Sequence, residues 1–105
     1  LMPETAQWAA EQMGVSYDVD KLFDPDYNIA LGCWYLSNLL QEFDHNLPVA
    51  LAAYNGGRGN VKQWLKDRIW DGEADSLEQI PFGETKQFVA RVLHDYKIYA
   101  HLYAN

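Results

Sequence analysis

Apolar residues in this 105-residue chain recur at spacings of three and four, and no run alternates strictly with period two. That pattern restricts the fold to helices and the loops between them, because a half-buried strand needs alternation and a helix face needs the longer repeat. The clearest stripe is Ile29, Cys33, Leu36, Leu40 and Phe43. Asp24-Pro25 stands just before it. The aspartate can accept from the first free backbone N–H groups, and the fixed φ of proline suits the first helical position. Leu47-Pro48 restarts a helix that runs through Ala50, Ala52 and Ala53 to Asn55, and Gly56-Gly57 ends it.

Pro3, Glu4 and Thr5 fit a first helical turn, with Gly14 as the stop and a polar connection from Val15 to Phe23. Beyond the glycine pair, Gly59 keeps the turn loose and Asn60 can cap a short helix carrying Val61, Trp64 and Leu65. Asp67 to Asp75 reads as irregular. Ser76 with Gln79 resembles a capping box, which Pro81 limits to about a turn. Phe88, Val92, Tyr96, Tyr99 and Tyr103 mark a long amphipathic terminal helix. No repeat of fixed period is visible. Leu31-Gly32 with Tyr35 matches part of a tetratricopeptide pattern, but Asn28 stands where that pattern needs Trp and no second copy follows.

The length suits one domain, and an aromatic content of 14% argues for a packed core over disorder. A net charge of −7 with no basic run disfavours nucleic acid and anionic membranes as partners. No stretch is apolar enough to span a bilayer, and none reads as a leader. The chain opens at Leu1 rather than Met, which leads us to expect its natural start elsewhere. Cys33, the one cysteine, is expected to be a small buried hydrophobe. Asp18, Asp20, Asp24 and Asp26 lack the Gly and Glu that a calcium loop requires at its sixth and twelfth positions, which hold Phe23 and Ile29. His45, His94 and His101 have no convincing ligand spacing. No metal and no cofactor is expected.

On spacing alone, Tyr54 reads as core, Asn55 as a helix C-cap and Glu84 as a first-turn acid favoured by the helix dipole. Most Trp and Tyr residues fall on apolar faces and read as core. Four ordered segments then change the weight. Leu1-Met2-Pro3-Glu4-Thr5-Ala6 resembles the end of a Gly-Leu-Met-Gln-x-Met-Pro-x-Thr-Ala motif. Leu22-Phe23-Asp24-Pro25 and Asn28-Ile29 follow, with Gly32, Tyr35 and Leu36. Ala52-Ala53-Tyr54-Asn55-Gly56-Gly57 is the third, with Arg58, Gly59, Val61 and Trp64 after it. Ile80-Pro81-Phe82-Gly83-Glu84-Thr85, then Val89, is the fourth. Together they resemble the Slt-type soluble lytic transglycosylases of the lysozyme-like superfamily, across essentially the whole chain.

The resemblance implies an all-α lysozyme-like fold and cleavage of the β-1,4 bond between N-acetylmuramic acid and N-acetylglucosamine in peptidoglycan. One glutamic acid protonates the glycosidic oxygen. As carboxylate it then takes the proton of the muramyl C6 hydroxyl, which closes on C1 to a 1,6-anhydro sugar. It implies that Tyr54 positions that acid, that Asn55 and Glu84 bind glycan, and that Met2 adjoins the cleft floor. The family's Glu-Ser motif has no counterpart here. Residues 1–105 are therefore expected to be one partial domain, truncated at its N-terminal side and inactive alone, since general acid–base catalysis contributes about 10²- to 10⁴-fold. Its expected place is the cell envelope, periplasmic or extracellular. An uncovered face around Ala52, Ala53 and Tyr54 is expected to favour a homodimer. Two other readings stand beside this one: a non-catalytic peptidoglycan-binding module, and a helical protein-interaction domain.

Overall fold

The computed structural model describes residues 3–14 and 25–103, with side chains described for residues 4–14 and 30–97. The described residues form five α-helices and no strand: α1 (Pro3–Met13), α2 (Pro25–Glu42), α3 (Leu47–Gly56), α4 (Arg58–Lys66) and α5 (Gly83–Tyr103). A 3-10 segment, Ala74–Gln79, lies between α4 and α5. Met2, Asp24 as an N-cap, and the Val15–Phe23 connection lie outside the described residues.

Helix α3 is the centre. It packs against α2, α4 and α5, while α1 packs on α2. The reason lies in its composition. Ala50, Ala52 and Ala53 have no solvent exposure, and Val49 and Leu51 have almost none. Small side chains let three helices approach one axis closely, and close packing is what a small core needs. Asn46 caps α3: its Oδ1 accepts from Val49 N at 3.2 Å, and its Nδ2 donates to Gly72 O at 3.3 Å. Pro48 occupies the first turn, where its missing N–H costs nothing. At the other end Gly57 adopts φ +96 and donates to Ala53 O at 2.9 Å. A side-chain-bearing residue is strained there, so the glycine allows the turn from α3 straight into α4.

Several expectations need correction. Gly59 and Asn60 do not form a loose turn and cap; α4 begins at Arg58, capped by Gly57 without a side-chain bond. Asn60 reaches back instead and donates through Nδ2 to Gly56 O at 2.8 Å. Ser76 and Gln79 form no capping box. Both turn to the Asp71 loop: Ser76 Oγ donates to Asp71 Oδ2 at 3.0 Å, and Gln79 Oε1 accepts from Asp71 N at 3.3 Å. Trp70, fully buried, anchors that loop, with Nε1 donating to Glu73 O at 3.3 Å.

The faces of the two long helices are also rotated from expectation. On α2 the buried line is Leu31, Tyr35 and Leu39, while Leu36, Leu40 and Phe43 are half-buried and Cys33 is exposed. One residue is about 100° of helix rotation. The helix is gripped on two sides, by α1 near Leu31 and by α3 near Leu39, and the centre of its buried arc falls between the two contacts. On α5 the buried line is Thr85 and Val89, with Phe88, Val92 and Leu93 half-buried and Tyr96 58% exposed.

Candidate functional site

The C-terminal turn of α3 and the N-terminal turn of α5 meet at a groove of about 520 Å³. Its walls carry Thr5 from α1, Tyr35 from α2, Tyr54 and Asn55 from α3, and Glu84 from α5. Helix ends suit such a groove. Their caps, glycine turns and unpaired backbone groups are polar and accessible. Three of the four residues expected to act, Tyr54, Asn55 and Glu84, thus share one cavity. Met2 lies outside the described residues.

Tyr54 packs against two other aromatic rings. Tyr35 lies 5.7 Å away at 38° between planes, and Phe88 stacks at 6.1 Å and 10°. Its hydroxyl rests on the backbone of α2 at Gly32, where a Cβ would come within 2.7 Å of Oη. Only glycine leaves room for that approach. Burial pushes the phenol pKa up, with Cys33 and Tyr35 adding to the effect. The group therefore stays neutral at ordinary pH and keeps its O–H as a donor, the form that can orient a carboxylate.

Asn55 is exposed to the groove, and its Oδ1 accepts from Thr85 Oγ1 at 2.8 Å. Gly56 makes this possible, because a Cβ there would lie 2.9 Å from Thr85 Oγ1. Glu84 is exposed in the first turn of α5, where the helix dipole favours an acid. Phe82 fixes that turn by packing edge-on against Trp64 at 5.0 Å and 89°.

Past Thr5, Tyr35 and Gly57 the groove continues into a hollow of about 410 Å³ beside Glu4, Trp8 and Arg58. The Arg58 guanidinium sits 4.6 Å from the centre of the Trp8 ring and pairs with Glu42 at 3.3 Å. On the far side of Tyr54 lies an apolar pocket of about 360 Å³, lined by Gly32, Cys33, Leu36, Leu51, Phe88 and Val92. This corrects the expected uncovered face. Ala52 and Ala53 are fully buried, and the open apolar surface belongs to α2 and α5 as much as to α3. Sequence reasoning quoted Thr85 and Arg58 only as motif letters. The four-residue step from Thr85 to Val89 places that threonine on the buried side of α5, and was the available signal. Among the described residues no group of three His, Cys, Asp or Glu side chains could hold a metal ion.

A family model described as Transglycosylase SLT domain matches residues 1–76. The chain belongs to that family, and its fold is the all-α, lysozyme-like fold of SLT transglycosylases. The soluble lytic murein transglycosylase of Escherichia coli is 36% identical over 98 residues, covering 89% of this chain and 15% of the relative. That of Salmonella typhimurium is 35% identical over 106 residues, covering 96% and 16%. Among solved structures, the lytic transglycosylase Slt of Pseudomonas aeruginosa, an inactive Glu-to-Gln mutant, is 41% identical with a TM-score of 0.79. The match covers 96% of this chain and 17% of that one. The chain thus spans about a sixth of the length of these relatives.

Proposed function

We propose that this chain forms the glycan cleft of a lytic transglycosylase that cleaves the MurNAc–GlcNAc bond of peptidoglycan, with formation of 1,6-anhydromuramic acid. The observation that carries the reading is the convergence of Tyr54, Asn55 and Glu84 on one groove, with the half-buried, neutral phenol of Tyr54 between that groove and an apolar pocket. A lone acid suffices for this reaction. It first gives its proton to the glycosidic oxygen as the C1–O bond breaks. As carboxylate it then takes the proton of the C6 hydroxyl as the new C1–O6 bond forms. Such an acid works best beside an apolar wall, where its neutral form persists near the working pH.

Among the described residues Glu84 and Glu4 are the acids of the continuous groove, and both are exposed. We assign Glu84 to sugar binding, Met2 and Asn55 likewise, and Tyr54 to orienting an acid supplied from outside these 105 residues, which then form one part of a single domain. The likeness to a Pseudomonas enzyme inactivated by one Glu-to-Gln change supports the reliance on a single acid. The setting is the cell envelope, where peptidoglycan lies. No described helix is long and apolar enough to cross a membrane. The apolar pocket is the face through which two copies would associate, and light scattering at high concentration tests for a dimer.

The function is tested by incubating the chain with purified peptidoglycan. Binding in a pull-down, without anhydromuropeptides by mass spectrometry, is the expected result. Anhydro products from the chain alone would overturn the assignment of the acid. Absence of binding would overturn the glycan cleft itself.

A further inference from the structure

Among the described residues Thr85 is the buried polar side chain, 1% exposed. Its Oγ1 lies 2.8 Å from Asn55 Oδ1. A hydroxyl proton buried this deeply needs an acceptor. Among the described residues its partner is that amide oxygen, which carries no proton of its own. With the Asn55 amide turned over, Nδ2 would donate to Oγ1, and the threonine proton would be left buried without an acceptor among the described residues. The bond therefore sets the amide one way round, with Oδ1 inward and the two N–H groups of Nδ2 toward the groove. Gly56 between them has no Cβ, which keeps the two side chains within reach.

We infer that Thr85 is a positioning residue that orients Asn55, so that the groove offers N–H donors at this point and selects a carbonyl oxygen of the ligand, the acetamido oxygen of an N-acetylated sugar. The inference rests on the glycan reading above and names the group recognised. A sugar hydroxyl can both donate and accept, so it fits either amide orientation. An acetamido oxygen only accepts, and it fits only this one. A free amino sugar carries an ammonium group there, which only donates and meets the Asn55 N–H groups with its own.

The test compares binding of N-acetylated and de-N-acetylated glycan oligomers by the full chain and by two variants, Thr85→Val and Thr85→Ser. The unsubstituted chain should prefer the N-acetylated oligomer. Valine keeps the shape and removes the hydroxyl, and should weaken binding of the N-acetylated oligomer about five- to ten-fold, the size of one lost hydrogen bond. Binding of the de-N-acetylated oligomer should stay within about two-fold, and serine should restore the preference. An unchanged preference in Thr85→Val, or a serine variant that behaves like valine, would overturn the inference while leaving the cleft reading intact. Failure of the unsubstituted chain to bind either oligomer would overturn the cleft reading and the inference with it. Where Thr85→Val does not fold, the side-chain amide resonance of Asn55 decides. It should shift when the N-acetylated oligomer is added to the unsubstituted chain, and a resonance that stays put overturns the assignment.

Discussion

The two hollows that meet at Tyr54 are built from opposite parts of the same helices. The polar groove is built chiefly from ends, the last turn of α3 and the first turns of α1 and α5, with Tyr35 of α2 as its mid-helix wall. The apolar pocket uses middles: Gly32, Cys33 and Leu36 within α2, Leu51 within α3, and Phe88 and Val92 inside α5. Helix ends leave backbone donors and acceptors for a polar ligand, whereas helix middles have spent theirs and offer only side chains. Tyr54 belongs to both because its ring is apolar and its tip is not. One residue thus sets an apolar wall beside a polar groove, the pairing that the proposed general acid would use.

If the apolar side is true core opened on one flank, cutting into it should cost far more than cutting into the polar side. Leu51→Ala removes an almost fully buried wall residue and should destabilise the chain by about 2–5 kcal/mol in urea unfolding. A loss under about 1 kcal/mol would mean that the pocket wall is loosely packed and the contrast is false. Gly56→Ala probes the border. Its Cβ would press on Thr85 Oγ1 and on Trp64, so the expected loss is about 1–3 kcal/mol, with glycan affinity falling as the Asn55 contact is displaced. Glu84→Gln touches only the polar side. Stability should stay within about 0.5 kcal/mol, because the residue is exposed, while muropeptide affinity drops several-fold. Retained affinity would remove Glu84 from the binding surface.

Which parts of this contrast were legible in the sequence depended on how local their cause is. The bounds of α1 and α3 were readable because Pro3, Gly14, Pro48 and the glycine pair act on their own backbone. The start of α4 was not, since Gly57 caps it by conformation while Asn60, the better cap by residue type, bonds Gly56 O. The buried faces of α2 and α5 were misjudged by roughly one residue, because the periodicity of a helix held between two neighbours does not say which contact dominates. Tyr54, Asn55 and Glu84 were legible only through the ordered motifs. No local rule raises Asn55 above a cap. Thr85 escaped because its role is a bond to a residue thirty positions away. Cys33 escaped because an apolar residue on an apparent stripe looks buried until the neighbouring helices are placed.

The smallest expected effect isolates Tyr54 itself. Its phenol titrates above the ordinary value near 10, with burial as the first cause. The neutral form is the one the fold favours. In the unfolded chain the proton leaves at the ordinary pKa, and in the folded chain it leaves later. Between the two values the folded state holds more protons, so stability falls as pH rises through that window. The contribution is fully present below about pH 10 and is lost above it. Tyr54→Phe cannot ionise, so its stability should decline less steeply than that of the unsubstituted chain as pH rises above about 10. Parallel urea titrations at stepped pH measure the difference between the two, which cancels the other tyrosines and the lysines. Coincident slopes would show that the phenol is as well solvated as a free tyrosine. It would then face water on the side assigned here to the apolar pocket, and the contrast between the two hollows would end at that residue.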